Sequence, residues 1–184
     1  MLTILIKRGE LYDEAKNEFI QLEKDQTICL EHSLVSVSKW EAKWHKPFLD
    51  DRFPKTKEEI IDYIRCMTIT QNVNPNVYYL MSDENLKKIQ EYISDPATAT
   101  WFSDKKKRHT QKKIITSEVI YYWMVALQIP FECQKWHLNR LLTLIKVCNE
   151  ENKPLDKKNS NMREFLSERA ALNAARKKRF NTRG

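Results

Sequence analysis

Glycine is almost absent from this chain, which has only Gly9 and Gly184. No Gly-x-Gly or Walker-type loop can be written with that spacing, so the backbone cradles that hold nucleotide phosphates are excluded. An all-β fold, whose tight turns lean on glycine, is disfavoured for the same reason. Long apolar runs are missing too: Val119 to Leu127 gives nine such residues in a row, against the roughly 20 that a bilayer span needs. Leu2–Ile6 is apolar but too short for the core of a secretory signal, and no cleavage site follows it. The four cysteines, at 29, 66, 133 and 148, are widely spaced and read as reduced thiols in a cytoplasmic protein.

What remains is charge and helix-forming residues. The formal net charge of +7 is unevenly placed. Residues 153–184 hold ten Lys or Arg against three acids, whereas residues 1–152 hold 22 of each. A neutral body thus carries a basic arm. Together these features predict an α+β protein: a small N-terminal antiparallel β element over 1–33, a helical body over 34–152, and a basic helical or disordered arm over 153–184.

Along the chain, LTILI, EFIQLE and QTICLEHSL read as two or three short strands, with turns at 7–9 and 23–25. Such a sheet must lean one face on the helices. Val37, Trp40, Glu41 and Trp44 recur at helical spacing. Thr56 and Glu59 fit a capping box before a helix with apolar positions Ile60, Tyr63, Ile64 and Met67. Ser82 opens a further helix bearing Leu86, Ile89, Tyr92 and Ile93. Segment 98–102 has no clear state, and 104–113 is a basic loop of net +5. Thr116 or Ser117 should cap the apolar helix, with Glu118 as a first-turn acid. Pro130 suits the first turn of the next helix, whose face is Leu138, Leu141, Leu142, Ile145 and Cys148. A helix apolar on every side belongs in the interior, so Ser117–Asn149 is expected to be the central core hairpin.

The chemistry-bearing residues are sparse. Cys29 with His32, and Cys133 with His137 at i and i+4 on a presumed helix face, form a weak candidate set for a tetrahedral metal. Buried thiols and hydrogen-bonded imidazoles account for the same residues, so no metal and no cofactor are expected. His32, Glu118 and His137 lie in no nucleophile elbow or metalloprotease helix, and no enzyme is expected. The run Lys105, Lys106, Lys107 and Arg108, with Arg176, Lys177, Lys178 and Arg179 in the arm, could neutralise phosphates. It lacks interleaved aromatics for stacking bases, so nucleic acid is not the favoured partner. Those basic residues, with Trp40 and Trp44, are the candidate partner-binding positions; a core role is the default for the tryptophans.

Several segments resemble a protein of tailed bacteriophages. They are Glu31-His32-Ser33-Leu34, Ser38-Lys39-Trp40-Glu41 with Trp44 and Pro47-Phe48-Leu49, and Thr70-Gln71-Asn72-Val73. Thr98 to Phe102 and Ile120-Tyr121-Tyr122-Trp123-Met124 also match. The most specific block lies within Ile129–Ile145, Pro-Phe-Glu-Cys-Gln-Lys-Trp-His-Leu-Asn-Arg-Leu-Leu, and the similarity covers about residues 28–184. The chain resembles the tail assembly chaperones of phages with long tails. That resemblance implies a non-enzymatic partner of the tape-measure protein, the tail-tube protein or both, in the cytoplasm of the infected bacterial host. It brings no catalytic residues and no membrane. A homo-oligomer, another structural or scaffolding role in the phage, and a basic nucleic-acid-binding factor stay open as alternatives.

Overall fold

A computed structural model describes residues 1–14, 17–102, 114–152 and 166–171. The chain forms two compact units, Met1–Val147 and Cys148–Gly184. In the second, residues 166–171 are helical and exposed. The fold is α+β, with a small antiparallel β element at the N-terminus.

The β element has four strands, not two or three: β1 (Leu2–Ile6), β2 (Gly9–Asp13), β3 (Glu18–Leu22) and β4 (Gln26–Leu30). Gly9, expected in a turn, begins β2. β1 pairs with β4 from Leu2↔Leu30 to Ile6↔Gln26, and β2 with β3 from Gly9↔Leu22 to Asp13↔Glu18. Two residues, 7 and 8, therefore face three, 23 to 25, between the ladders. The one extra residue acts as a bulge that bends a single long ribbon into two short sheets, and the Arg8 N–H donates to Asp25 Oδ1 at 2.7 Å there. Ile4, Ile6, Ile28 and Leu30 alternate onto the buried face, the pattern of a half-buried antiparallel pair.

The body contains helices α1 (Leu34–Trp44), α2 (Lys57–Met67), α3 (Asp83–Ser94), α4 (Ser117–Ala126) and α5 (Leu138–Glu151), with 3₁₀ turns at Pro75–Tyr78 and Phe131–Lys135. Ser33 and Ser36 form a capping box on α1, and His45 ends that helix in the left-handed region at φ 52°. Thr56 and Glu59 cap α2 reciprocally, as their spacing predicts. Ser82 caps α3 by accepting the Asn85 N–H.

α2 is rotated relative to the apolar pattern. Ile60 is exposed, whereas Glu59 and Asp62 are buried with Tyr63, Ile64 and Met67. Two indoles on α1 explain the rotation. Trp40 Nε1 donates to the Glu59 carbonyl at 2.8 Å and Trp44 Nε1 to Asp62 Oδ2 at 2.9 Å. Lys46 pairs with Glu59 and Lys43 with Asp62, each at 2.5 Å. Buried polar groups are tolerable when hydrogen-bonded: Lys46 and the Thr56 N–H supply the donors to the Glu59 carboxylate, and Trp44 and Lys43 those to Asp62.

Two further expectations are corrected. Pro130 opens a 3₁₀ turn closed by Trp136 N–H on the Cys133 carbonyl, and α5 begins only at Leu138. Cys133 and His137 thus do not share a helix face. Nor is α4 enclosed: it buries Ser117, Ile120 and Met124 and leaves Tyr122 and Val125 bare. Ser117, Ile120 and Met124 stand at i, i+3 and i+7, which is one side of the helix, and Tyr122 and Val125 project from the other.

Candidate functional site

The extended segment 29–33 runs between two neighbours and brings the body's titratable groups together. On one side Ile69 N–H donates to the Cys29 carbonyl and Glu31 N–H to the Met67 carbonyl, at 2.8 and 2.9 Å. On the other, Leu138 N–H donates to the His32 carbonyl at 2.7 Å. The result sets His32 against His137, ring centroids 5.1 Å apart and edge-on.

Most of the polar atoms there have a partner within the fold. His137 stands just before α5 and caps it: Nδ1 accepts the Asn139 N–H at 3.3 Å, while Nε2 donates to the Tyr92 carbonyl at 3.0 Å. His32 Nδ1 shares a 2.5 Å hydrogen bond with the Tyr63 hydroxyl. Burial first, and the adjacent His137 second, hold His32 down to a pKa of about 4, so it is neutral at physiological pH. Burial raises the Tyr63 hydroxyl far above the usual tyrosine range. Tyr92 is raised by burial and by donating to Glu31 Oε1 at 2.6 Å.

The weak candidate set for a metal is only half assembled. The two histidines meet, but both ring nitrogens of His137 are engaged. Cys29 lies on the face of β4 opposite Ile28 and Leu30, with its Sγ 3.6 Å from Thr3 Oγ1, and Cys133 is buried in the 3₁₀ turn. Among the described residues no group of three or more His, Cys, Asp or Glu side chains is arranged to hold a metal ion. A groove of about 520 Å³ lies elsewhere, at the ribbon's kink beside Glu23, Lys24, Asp25 and Asn74.

Neither a family model nor a curated protein nor a solved structure matches the chain. The surface must therefore be read from its own residues.

Trp40 is 1 % exposed and belongs to the core. Trp44 is half-buried beside Asp62, with Lys43 Nζ 5.5 Å from its ring centre. Lys105, Lys106, Lys107, Arg108, Arg176, Lys177, Lys178 and Arg179 lie outside the described residues.

The outer side of α4 is the surface that the periodicity reading misses. Tyr122 is 68 % and Val125 61 % exposed, and Phe131, 53 % exposed, follows in the 3₁₀ turn with its ring 6.5 Å from that of Tyr121. Glu118 and Glu132 are exposed at the flanks. The legible signal is that apolar residues run all the way round α4, while a core helix needs a stripe only about 100° wide. No helix among the described residues is long and apolar enough to cross a membrane.

Proposed function

We propose that the protein works by binding, as an assembly chaperone in the tail morphogenesis of a tailed phage, in the cytoplasm of the infected host. The observation that carries the binding mode is the bare outer face of α4, where Tyr122 and Val125 stand exposed about one turn apart, with Phe131 exposed in the 3₁₀ turn that follows. Clustered apolar and aromatic exposure of this kind suits partner recognition. A tape-measure protein, being long and helical, offers an amphipathic helix, and burial of a few large anchors supplies the affinity in that mode. The phage resemblance provides the setting, and its most specific block adjoins this face.

The test is co-purification with the tape-measure protein after Tyr122→Gln with Val125→Gln. Client recovery should fall about tenfold or more, because desolvated aromatic anchors dominate such interfaces. Far-ultraviolet circular dichroism and the melting temperature should stay at the wild-type values. Undiminished recovery would remove this face from the proposal. Presence of the protein in purified virions would point instead to a structural component.

A further inference from the structure

Independently of the α4 face, we propose that the outer edge of β2 docks an extended partner segment of basic–apolar–apolar–basic sequence by strand addition. Beyond the kink the ribbon is a two-stranded sheet, with β2 bonded to β3 and to no other strand among the described residues. The edge of β3 is tied down, since Asn76 Nδ2 donates to the Gln21 carbonyl at 2.9 Å. Among the described residues, the edge of β2 is the open one.

An exposed strand edge is a template for another strand, and proteins usually protect it with lysine, proline or brevity. β2, Gly-Glu-Leu-Tyr-Asp, carries neither lysine nor proline. It also shows apolar groups on both faces. Tyr12 lies directly across from Phe19, rings 5.0 Å apart, on one face, and Leu11 lies across from Ile20 on the other. Phe19 is 70 % exposed, and Leu11 and Tyr12 are about half exposed.

Charge selects the occupant. Residues 9–22 contain Glu10, Asp13, Glu14 and Glu18 against Lys16 alone, a net of −3, and Asp13 stands directly opposite Glu18 at the tip. Two copies of this hairpin repel each other, whereas a basic strand is attracted; the same carboxylates exclude one partner and favour the other. Directly opposed residues on adjacent strands interact. Reading along β2, Glu10 calls for a basic neighbour, Leu11 and Tyr12 for apolar ones, and Asp13 for a basic one. That pattern is the same read in either direction, so it serves a parallel or an antiparallel strand.

The full-length protein is titrated against a labelled peptide, Thr-Lys-Val-Val-Lys-Thr, and against its charge-swapped form with glutamate for lysine. Fluorescence anisotropy should give saturable binding for the lysine peptide and none for the glutamate peptide. Amide exchange of residues 9–13 should slow on binding. Glu10→Lys should weaken affinity by about tenfold. Glu18→Lys, the same charge change on β3, should cost less than about threefold. Equal losses in the two variants, unslowed exchange over 9–13, or equal binding of both peptides would overturn the proposal, as would no saturable binding. The peptide pair tests the idea on the unaltered protein, so a misfolded variant does not obscure the result.

Discussion

The carboxylate of Glu41 closes the start of a helix 76 residues further along the chain: its Oε2 accepts the Ser117 N–H at 2.7 Å. Its Oε1 accepts the Phe48 N–H at 2.8 Å, so one buried side chain satisfies backbone donors from two other segments. Thr116 occupies the N-cap position of α4 but makes no side-chain cap bond, and Glu41 takes over that role from α1.

Removing this acceptor should therefore be costly. Glu41→Ala leaves two amides without their partner, each worth about 1–3 kcal/mol when buried, so a loss of about 2–6 kcal/mol is expected. Glu41→Gln keeps one acceptor oxygen and should cost roughly half as much. Urea unfolding midpoints at constant slope measure both. A shift under about 0.5 kcal/mol for the alanine variant would mean that water replaces the carboxylate without penalty.

This bond also marks the border of what the sequence makes legible. Local devices can be read directly: the Thr56–Glu59 box, the Ser82 cap and the alternation of β1 and β4 all depend on residues a few positions apart. Long-range polar partners cannot. The apolar pattern of α2 points to Ile60, yet Lys46 holds the Glu59 carboxylate inward, and Trp44 and Lys43 on α1 hold that of Asp62. His137 reads as a possible ligand on a helix face, and only its approach to Tyr92 and Asn139 reveals a cap. Of the candidate site, the apolar letters of α4 are plain in the sequence, but which of them face outward depends on what lies against Ile120 and Met124.

His32 makes stability depend on pH in a defined direction. In the unfolded chain it takes up a proton near the ordinary value of 6.5, but in the folded protein only near 4. The unfolded state binds more protons between those values, so stability is full above about pH 6.5 and declines as pH falls toward about 4. The shift corresponds to a loss of about 3 kcal/mol at the bottom of the window. His137 and Tyr63 flank the imidazole, and neither supplies a negative charge to offset protonation. Urea midpoints of the wild type should decline more steeply through this window than those of His32→Gln, which keeps a polar group but cannot titrate. Parallel profiles would show that His32 does not set the dependence.

The two sides of α4 should respond oppositely to truncation. Met124 is fully buried, and Met124→Ala should cost about 2–4 kcal/mol through lost burial and the cavity left behind. Val125, the next residue, faces outward; Val125→Ala removes little buried area and replaces a β-branched residue with the best helix former. Its expected effect lies between no change and a gain of about 0.5 kcal/mol. Thermal unfolding of the two single variants distinguishes an outward face from an enclosed hairpin, in which both substitutions would destabilise. A Val125→Ala loss near that of Met124→Ala would mean that α4 is covered on both sides in solution. Such coverage would require a second copy or another segment seated on Tyr122, and the unfolding midpoint would depend on protein concentration only in the first case.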